Sequence, residues 1–250
     1  MSWERFINKV TCGDCLELMK EIPDGAVDMI LADPPYGTTA CKWDTIIPLE
    51  PMWKQLKRVI KPNGAIVMTA SQPFTTILIA SNIKMFKYEW IWKKSRSTGF
   101  QNSKFAPMRN HEDIVVFYEN PPVFNQHTLV KLAKPIKSWR RNGKGGNLLN
   151  GVNTYGKDKL QQFTNYHKTV LEIKNEHNVG KHPTQKPVAL MEYLIKTYTN
   201  EGEIVLDFTI GSGTTAVACI RTFRKFIGFE IEPKYVDITE ERLKQEVLGL

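Results

Sequence analysis

Cysteine is scarce and badly spaced for holding a metal: Cys12 and Cys15 form one C-x-x-C, while Cys41 and Cys219 stand alone. A structural zinc site needs a second pair of ligands, so no metal site is expected. Long apolar runs are absent too. The longest, such as residues 65–68, fall far short of the roughly 20 needed to cross a bilayer. No charged-then-apolar leader opens the chain, because residues 1–9 are mixed and aromatic. The expectation is a cytoplasmic protein without a membrane span. No Gly-Lys-Ser/Thr follows a glycine turn, which excludes a phosphate loop. The full G-x-G-x-x-G dinucleotide fingerprint is missing as well, since the third position of the late glycine turn is Ala216. Internal repeats are not seen.

What is present is an ordinary globular composition with an excess of positive charge. The 250 residues are 42% hydrophobic and 24% charged, with a net charge of +8. That length suffices for one sizeable core plus an inserted module. A basic balance favours polyanionic partners, because each cation near a phosphate releases condensed counterions. The charge is concentrated in residues 131–168, with nine Lys or Arg against one acid, Asp158. Gly143, Gly145, Gly146, Gly151 and Gly156 crowd the same stretch, and neither a helical nor a strand period persists there. It reads as an irregular basic insertion, the alternative being a merely solvated loop.

Strands and helices alternate on either side of it. Residues 27–32 form a short apolar run stopped by proline, and 65–69, 87–92, 113–118, 203–206 and 225–230 are further strands. Residues 51–60 place Trp53, Leu56, Val59 and Ile60 on one helical face before Pro62-Asn63-Gly64 breaks the helix. Helices are also expected after Pro187, after the glycines at 211–213, and over 234–248. This alternation predicts an α/β fold of Rossmann-like type, a mostly parallel sheet with helices on both faces. The expected organisation is 1–120 as one half of the main domain, 121–180 as the insertion, and 181–250 as the other half.

Two constellations carry chemistry. At 205–215 a strand enters a turn containing Gly211, Ser212 and Gly213, and a helix begins behind it. Such a turn lets a ligand approach the backbone. The next strand ends in Glu230, placed to bond ribose hydroxyls. A glycine turn that only packs helix on strand is the plainer alternative. The second constellation, Asp33-Pro34-Pro35-Tyr36, closes a strand at the sheet edge where ligands bind in such folds. Its prolines leave carbonyl oxygens without competing donors, Asp33 adds a carboxylate, and Tyr36 adds a flat face. Those groups suit a planar base bearing an exocyclic amine, although a proline-stopped strand with an incidental Tyr fits equally.

Asp33-Pro34-Pro35-Tyr36 resembles the catalytic D-P-P-Y of amino-group DNA methyltransferases. Asp207 to Thr215 resembles their S-adenosylmethionine (AdoMet) turn, D-P-F-x-G-S-G-T-T, and 182–187 resembles the H-P-x-x-K-P segment before it. Catalytic loop first, basic insertion next and cofactor turn last is similar to the circularly permuted order of the β group. The resemblance covers about 11–120 and 180–241. It implies catalytic roles for Asp33, Pro34, Pro35 and Tyr36. It implies AdoMet contacts at Asp14, Thr184, Lys186, Asp207, Thr209, Gly211, Ser212, Gly213, Thr214 and Glu230. Asp14, in a Gly-Asp similar to one that contacts the cofactor's adenine, serves equally as an N-cap for a helix at Leu16. Thr209 stands where the family usually has Phe, so an aromatic wall is missing or is supplied by Phe208.

The resemblance further implies methyl transfer to adenine N6 of duplex DNA. Asp33 and the Pro34 carbonyl would accept the two amine N–H bonds, and the base would be rotated out and stacked on Tyr36. Cytosine enzymes more often resemble S-P-P-Y and RNA enzymes N-P-P-Y. Lys131, Lys134, Lys137, Arg140, Arg141 and Lys144 are the expected DNA contacts. A homodimer and a cognate restriction endonuclease are the further expected partners. Cytosine-N4 transfer, a silent DNA-binding module and a small-molecule methyltransferase are the alternatives.

Overall fold

A computed structural model describes residues 2–38, 44–137, 160–175 and 185–248. The chain divides into two units, one comprising Met1–Asn125 with Thr169–Leu250 and the other Gln126–Lys168.

The larger unit is built on eight strands. They are β1 (Lys9–Cys12), β2 (Val27–Ala32), β3 (Ile60–Ala70), β4 (Phe86–Thr98), β5 (Arg109–Phe117), β8 (Val170–Glu172), β9 (Ile204–Asp207) and β10 (Lys225–Glu230), in the spatial order β1-β10-β9-β2-β3-β5-β4-β8. The first five in that order run parallel, and β5 is antiparallel to both β3 and β4. Side chains alternate across the pleat, so each buried strand feeds two cores. Ile30, Ile66, Met68, Leu206 and Ile227 face one core, where α1 (Cys15–Met19), α2 (Leu49–Val59) and α3 (Phe74–Ser81) supply Met19, Trp53, Leu56 and Phe74. Met29, Leu31, Val67 and Val205 face the other. There α4 (Val188–Tyr198) and α5 (Thr214–Arg221) supply Leu190, Leu194, Ala216 and Val217. α6 (Pro233–Leu248) completes the chain.

Three boundaries differ from expectation for physical reasons. Pro62-Asn63-Gly64 does not separate helix from strand, because β3 begins at Ile60 and bulges through it. Val27 pairs Ile60 while Met29 already pairs Ala65. Pro62 and Asn63 are exposed on the bulge, where a missing N–H costs nothing. Gly64 lies so close to Asp28 O that a Cβ would sit 2.7 Å from it. The sheet also extends past residue 121, since β8 pairs with β4 and buries Leu171. Finally, the basic insertion is not wholly irregular: β6 (Val130–Lys137) and β7 (Leu160–Thr164) pair antiparallel in the second unit. Their side chains are mostly exposed, so no apolar alternation marks them in the sequence.

The topology has one consequence for function. β2 leads to β3 on one side and β9 leads to β10 on the other, while β2 and β9 are hydrogen-bonded neighbours, Met29 beside Val205 and Ile30 beside Leu206. Their connections leave in opposite directions, which opens a crevice at the carboxyl ends of the two strands. Asp33 follows the tip of β2, and Asp207 is the tip of β9.

Candidate active site

A cavity of about 470 Å³ opens at this switch point. Asp33, Pro34, Pro35 and Tyr36 line it from β2, and Asp207, Thr209, Gly211, Ser212 and Thr214 line it from β9 and α5. Asp14 and Glu230 line it from β1 and β10, and Lys186 from the segment before α4. The early loop and the late turn therefore share one cavity, although Asp33 and Asp207 are 174 positions apart.

Asp33 is held from several directions. Its Oδ1 accepts from Tyr36 Oη at 2.6 Å and from the Thr69 hydroxyl of β3. Its Oδ2 accepts from Lys186 Nζ at 2.7 Å. Lys186 is buried and also lies 3.2 Å from Glu112 Oε2 of β5, whose other oxygen pairs with Lys94 of β4. Burial pushes the Asp33 carboxyl up, yet the Lys186 charge and the three hydrogen bonds outweigh it and hold it below the usual carboxylate range. For Lys186, desolvation favours the neutral amine, but Asp33 and Glu112 together raise its pKa and keep it an ammonium. The result is an ionised, oriented carboxylate at the mouth of a parallel strand. Tyr36 stacks on Phe74, centroids 5.4 Å apart at 23°, which fixes the plane of its ring. Burial and the Asp33 charge raise its pKa, so it stays a neutral phenol and donor.

The loop after Tyr36 is tied down by Asp44, which accepts from the Gly37 and Thr38 amides at 2.9 Å each. On the opposite wall, Glu230 braces the glycine turn. Its Oε2 accepts from Gly211 N and its Oε1 from Glu232 N, both at 2.9 Å. Asp207 accepts from Thr209 N at 3.1 Å. Desolvation raises its carboxyl to about 7 and that of Glu230 upward as well. Among the described residues neither acid carries a salt bridge. Among the described residues the buried Thr209 hydroxyl likewise has no hydrogen-bond partner. Two desolvated acids and an unsatisfied hydroxyl make a site suited to a cationic, hydroxyl-bearing ligand. Ile46, Ile47 and Pro48 add an apolar wall beside them. AdoMet, with its sulfonium, ammonium and ribose, fits that donor and acceptor set.

The expected site residues distribute unevenly. Asp14 lines the cavity and also caps α1, its Oδ1 accepting from Leu16 N at 2.7 Å and Glu17 N at 3.4 Å, so both readings of it stand. Lys186 turns its ammonium to Asp33 rather than to the glycine turn. Gly213 does not line the cavity. It takes φ +81° ahead of α5, and a Cβ there would meet Thr239 Cγ2 at 2.3 Å, so its place is in packing α5 against α6. Thr184, Arg140, Arg141, Lys144 and the Lys137 side chain lie outside the described residues. Lys131 and Lys134 are exposed on β6 of the second unit. Thr69, Glu112 and Asp44 join the site without any sequence signal to announce them. The first two are ordinary strand residues until β3 and β5 are set beside β2, and Asp44 carries no motif.

The profile of the N6/N4 family described as DNA methylase matches residues 27–241. Type II methyltransferase M.HpaI of Haemophilus parainfluenzae is 28% identical over 256 residues, covering 96% of this chain and 76% of its own length. The crystal structure of an M1.HpyAVI–SAM complex is similar with a TM-score of 0.63 at 24% identity, covering 94% of this chain and 98% of that one. The cytosine-N4-specific PvuII DNA methyltransferase gives 0.67 at 17% identity, over 93% and 85%. At these identities the two structures bear on the fold alone.

Proposed function

The chain belongs to the DNA methylase family that acts on exocyclic amino nitrogens, and from that premise we propose that it transfers the AdoMet methyl group to adenine N6 in duplex DNA. The observation that carries this reading is the state of Asp33. A carboxylate offers about four acceptor directions. Tyr36 and Thr69 take two on Oδ1, and Lys186 takes one on Oδ2. One direction on Oδ2 remains for an incoming N–H, and Pro34, which lines the same cavity, carries a carbonyl able to accept the second.

An aryl amine is a poor nucleophile because its lone pair is delocalised into the ring. Two acceptors on its N–H bonds draw the nitrogen toward tetrahedral geometry and free that pair. The bound cofactor supplies an electrophilic methyl whose carbon–sulfur bond breaks as the carbon–nitrogen bond forms. Asp33 stabilises the positive charge that grows on nitrogen, a preorganised electrostatic effect. It then takes the surplus N–H proton and passes it to solvent. Lys186, by keeping the Asp33 pKa low, ensures that the proton does not stay. Holding both reactants in one crevice replaces a bimolecular encounter.

A base inside a duplex cannot reach Asp33, so it rotates out and stacks on Tyr36. Lys131 and Lys134 on β6, with Lys137, Arg140, Arg141 and Lys144, engage phosphates. A second copy of the chain and a cognate restriction endonuclease are further partners in this reading.

The test is incubation with methyl-labelled AdoMet and unmethylated DNA, followed by digestion to nucleosides. Label in N6-methyladenine supports the reading. Label in N4-methylcytosine moves the target to the other base. AdoMet binding without transfer makes the chain a silent module.

A further inference from the structure

The connection between β4 and β5 concentrates two features that the catalytic pocket does not use. Residues 90–111 contain five cations and no acid; Lys93 and Lys94 on β4 pair with Glu172 and Glu112, whereas Lys104 in the connection and Arg109 at the start of β5 carry no ion pair among the described residues. In the same loop Phe105 is 91% and Phe100 77% exposed, an unusual position for large aromatics. The loop is not shapeless. Asn102 N donates to Gly99 O, Ser103 N to Phe100 O, and the Phe105 and Ala106 amides to Asn102 O. These successive turns, entered through Gly99 at φ +88°, hold both rings outward. Neither ring is needed to fill a core.

The sheet fixes where this loop stands. Thr98 pairs Arg109, His111 pairs Lys93, and Glu112 pairs Trp92. Glu112 lies 3.2 Å from Lys186, which holds Asp33. Arg109 is three residues up the strand from Glu112, roughly 10 Å at the rise of a β-strand. A loop carrying two bare aromatics therefore begins within a few residues of the group that orients the catalytic carboxylate, at the same end of the sheet.

We propose that this loop is a DNA-inserting wedge, with Phe105 entering the base stack beside the target and filling the gap left when the adenine rotates out. The proposal rests on the methyltransferase reading above. Apolar side chains placed between base steps are a recurring means of unstacking a duplex, and Lys104 and Arg109 suit the flanking phosphates. A second copy of this chain is the other occupant with apolar surface to offer. A two-fold interface, however, would set Lys104 and Arg109, which carry no ion pair among the described residues, against their own copies, and like charges there repel.

The experiment compares wild type, Phe105→Ala and Phe105→Trp on unmethylated plasmid DNA. It measures kcat/KM for methyl transfer together with AdoMet affinity in the absence of DNA. Stacking contributes about 1–3 kcal/mol per base, so Phe105→Ala is expected to lose about 5- to 150-fold in kcat/KM. Phe105→Trp should stay within about threefold of wild type, and AdoMet affinity should be unchanged in both. An active wild type matched by Phe105→Ala overturns the wedge and leaves the methyltransferase reading standing. So does a Phe105→Ala defect that Trp fails to restore, or one that AdoMet affinity follows. A wild type that transfers no methyl group overturns the functional reading, and the wedge with it. If Phe105→Ala instead dissociates a dimer and loses no activity, the wedge is overturned and the patch is an interface between copies.

Discussion

At the scale of single residues, two buried groups give the site its pH behaviour. Lys186 is the cation that holds Asp33 ionised against desolvation. Replacing it with Met leaves only the Tyr36 and Thr69 hydrogen bonds to offset burial, so the Asp33 pKa rises. The acid limb of the kcat/KM–pH profile should then move to higher pH, with little change in AdoMet affinity; an unmoved limb would show that Lys186 does not act through Asp33. Asp207 is the opposite case. Its carboxyl stands at about 7 against an ordinary 3.8 because burial disfavours the anion. Folding binds that proton more tightly, so its contribution to stability is full below about 4 and is lost as pH rises through 7. A cationic ligand needs the anion, and its binding therefore expels the proton. AdoMet affinity should climb by up to about tenfold per pH unit below 7, and Asp207→Asn should flatten that slope. Calorimetry in buffers of different ionisation enthalpy measures the proton released.

Only part of this arrangement is legible in the sequence. Asp33, Tyr36 and the glycine turn are recognisable because their spacing is local. The Thr69 hydroxyl, the Glu112 carboxylate and the direction of the Lys186 ammonium depend on which strands become neighbours, and no local pattern encodes that.

At the scale of elements, β2 and β10 can be bounded from sequence because they are mostly apolar runs, β2 stopped by Asp-Pro-Pro and β10 ending in an acid. β6, β7 and β8 cannot, being largely exposed. The β3 bulge mimics a break because Pro62 and Gly64 are turn residues wherever they lie. The α5 entry is sensitive to a single change. Gly213→Ala places a Cβ against Thr239 and forces a left-handed conformation on an alanine. The conformational part costs about 1–3 kcal/mol, with the clash added to it. Thr239→Ser deletes the offending methyl but keeps the hydroxyl that donates to Gly211 O. Thr239 Oγ1 would still lie 2.9 Å from that Cβ, so the double variant should recover part of the clash loss in a urea melt and retain the conformational part. Full recovery would mean that the left-handed turn imposes no cost.

At the scale of the whole molecule, the permuted chain order is resolved by the pairing of β2 with β9. The sequence signals the two halves but not their juxtaposition. Strand adjacency supplies it, and with it the shared cavity. The net charge of +8 bears on the same scale. DNA affinity should fall steeply with salt, and Lys131→Gln with Lys134→Gln should flatten the log–log slope by about 0.9 for each phosphate that is no longer neutralised. An unchanged slope would remove β6 from the DNA interface.

The central claim is that Asp33 acts on the nitrogen during transfer and not on the binding of the donor. Single-turnover methyl transfer by Asp33→Ala, measured beside its AdoMet affinity, tests it most directly. Transfer reduced by about a thousandfold with donor affinity within a few-fold of wild type is the predicted result. Transfer at close to the wild-type rate would contradict it.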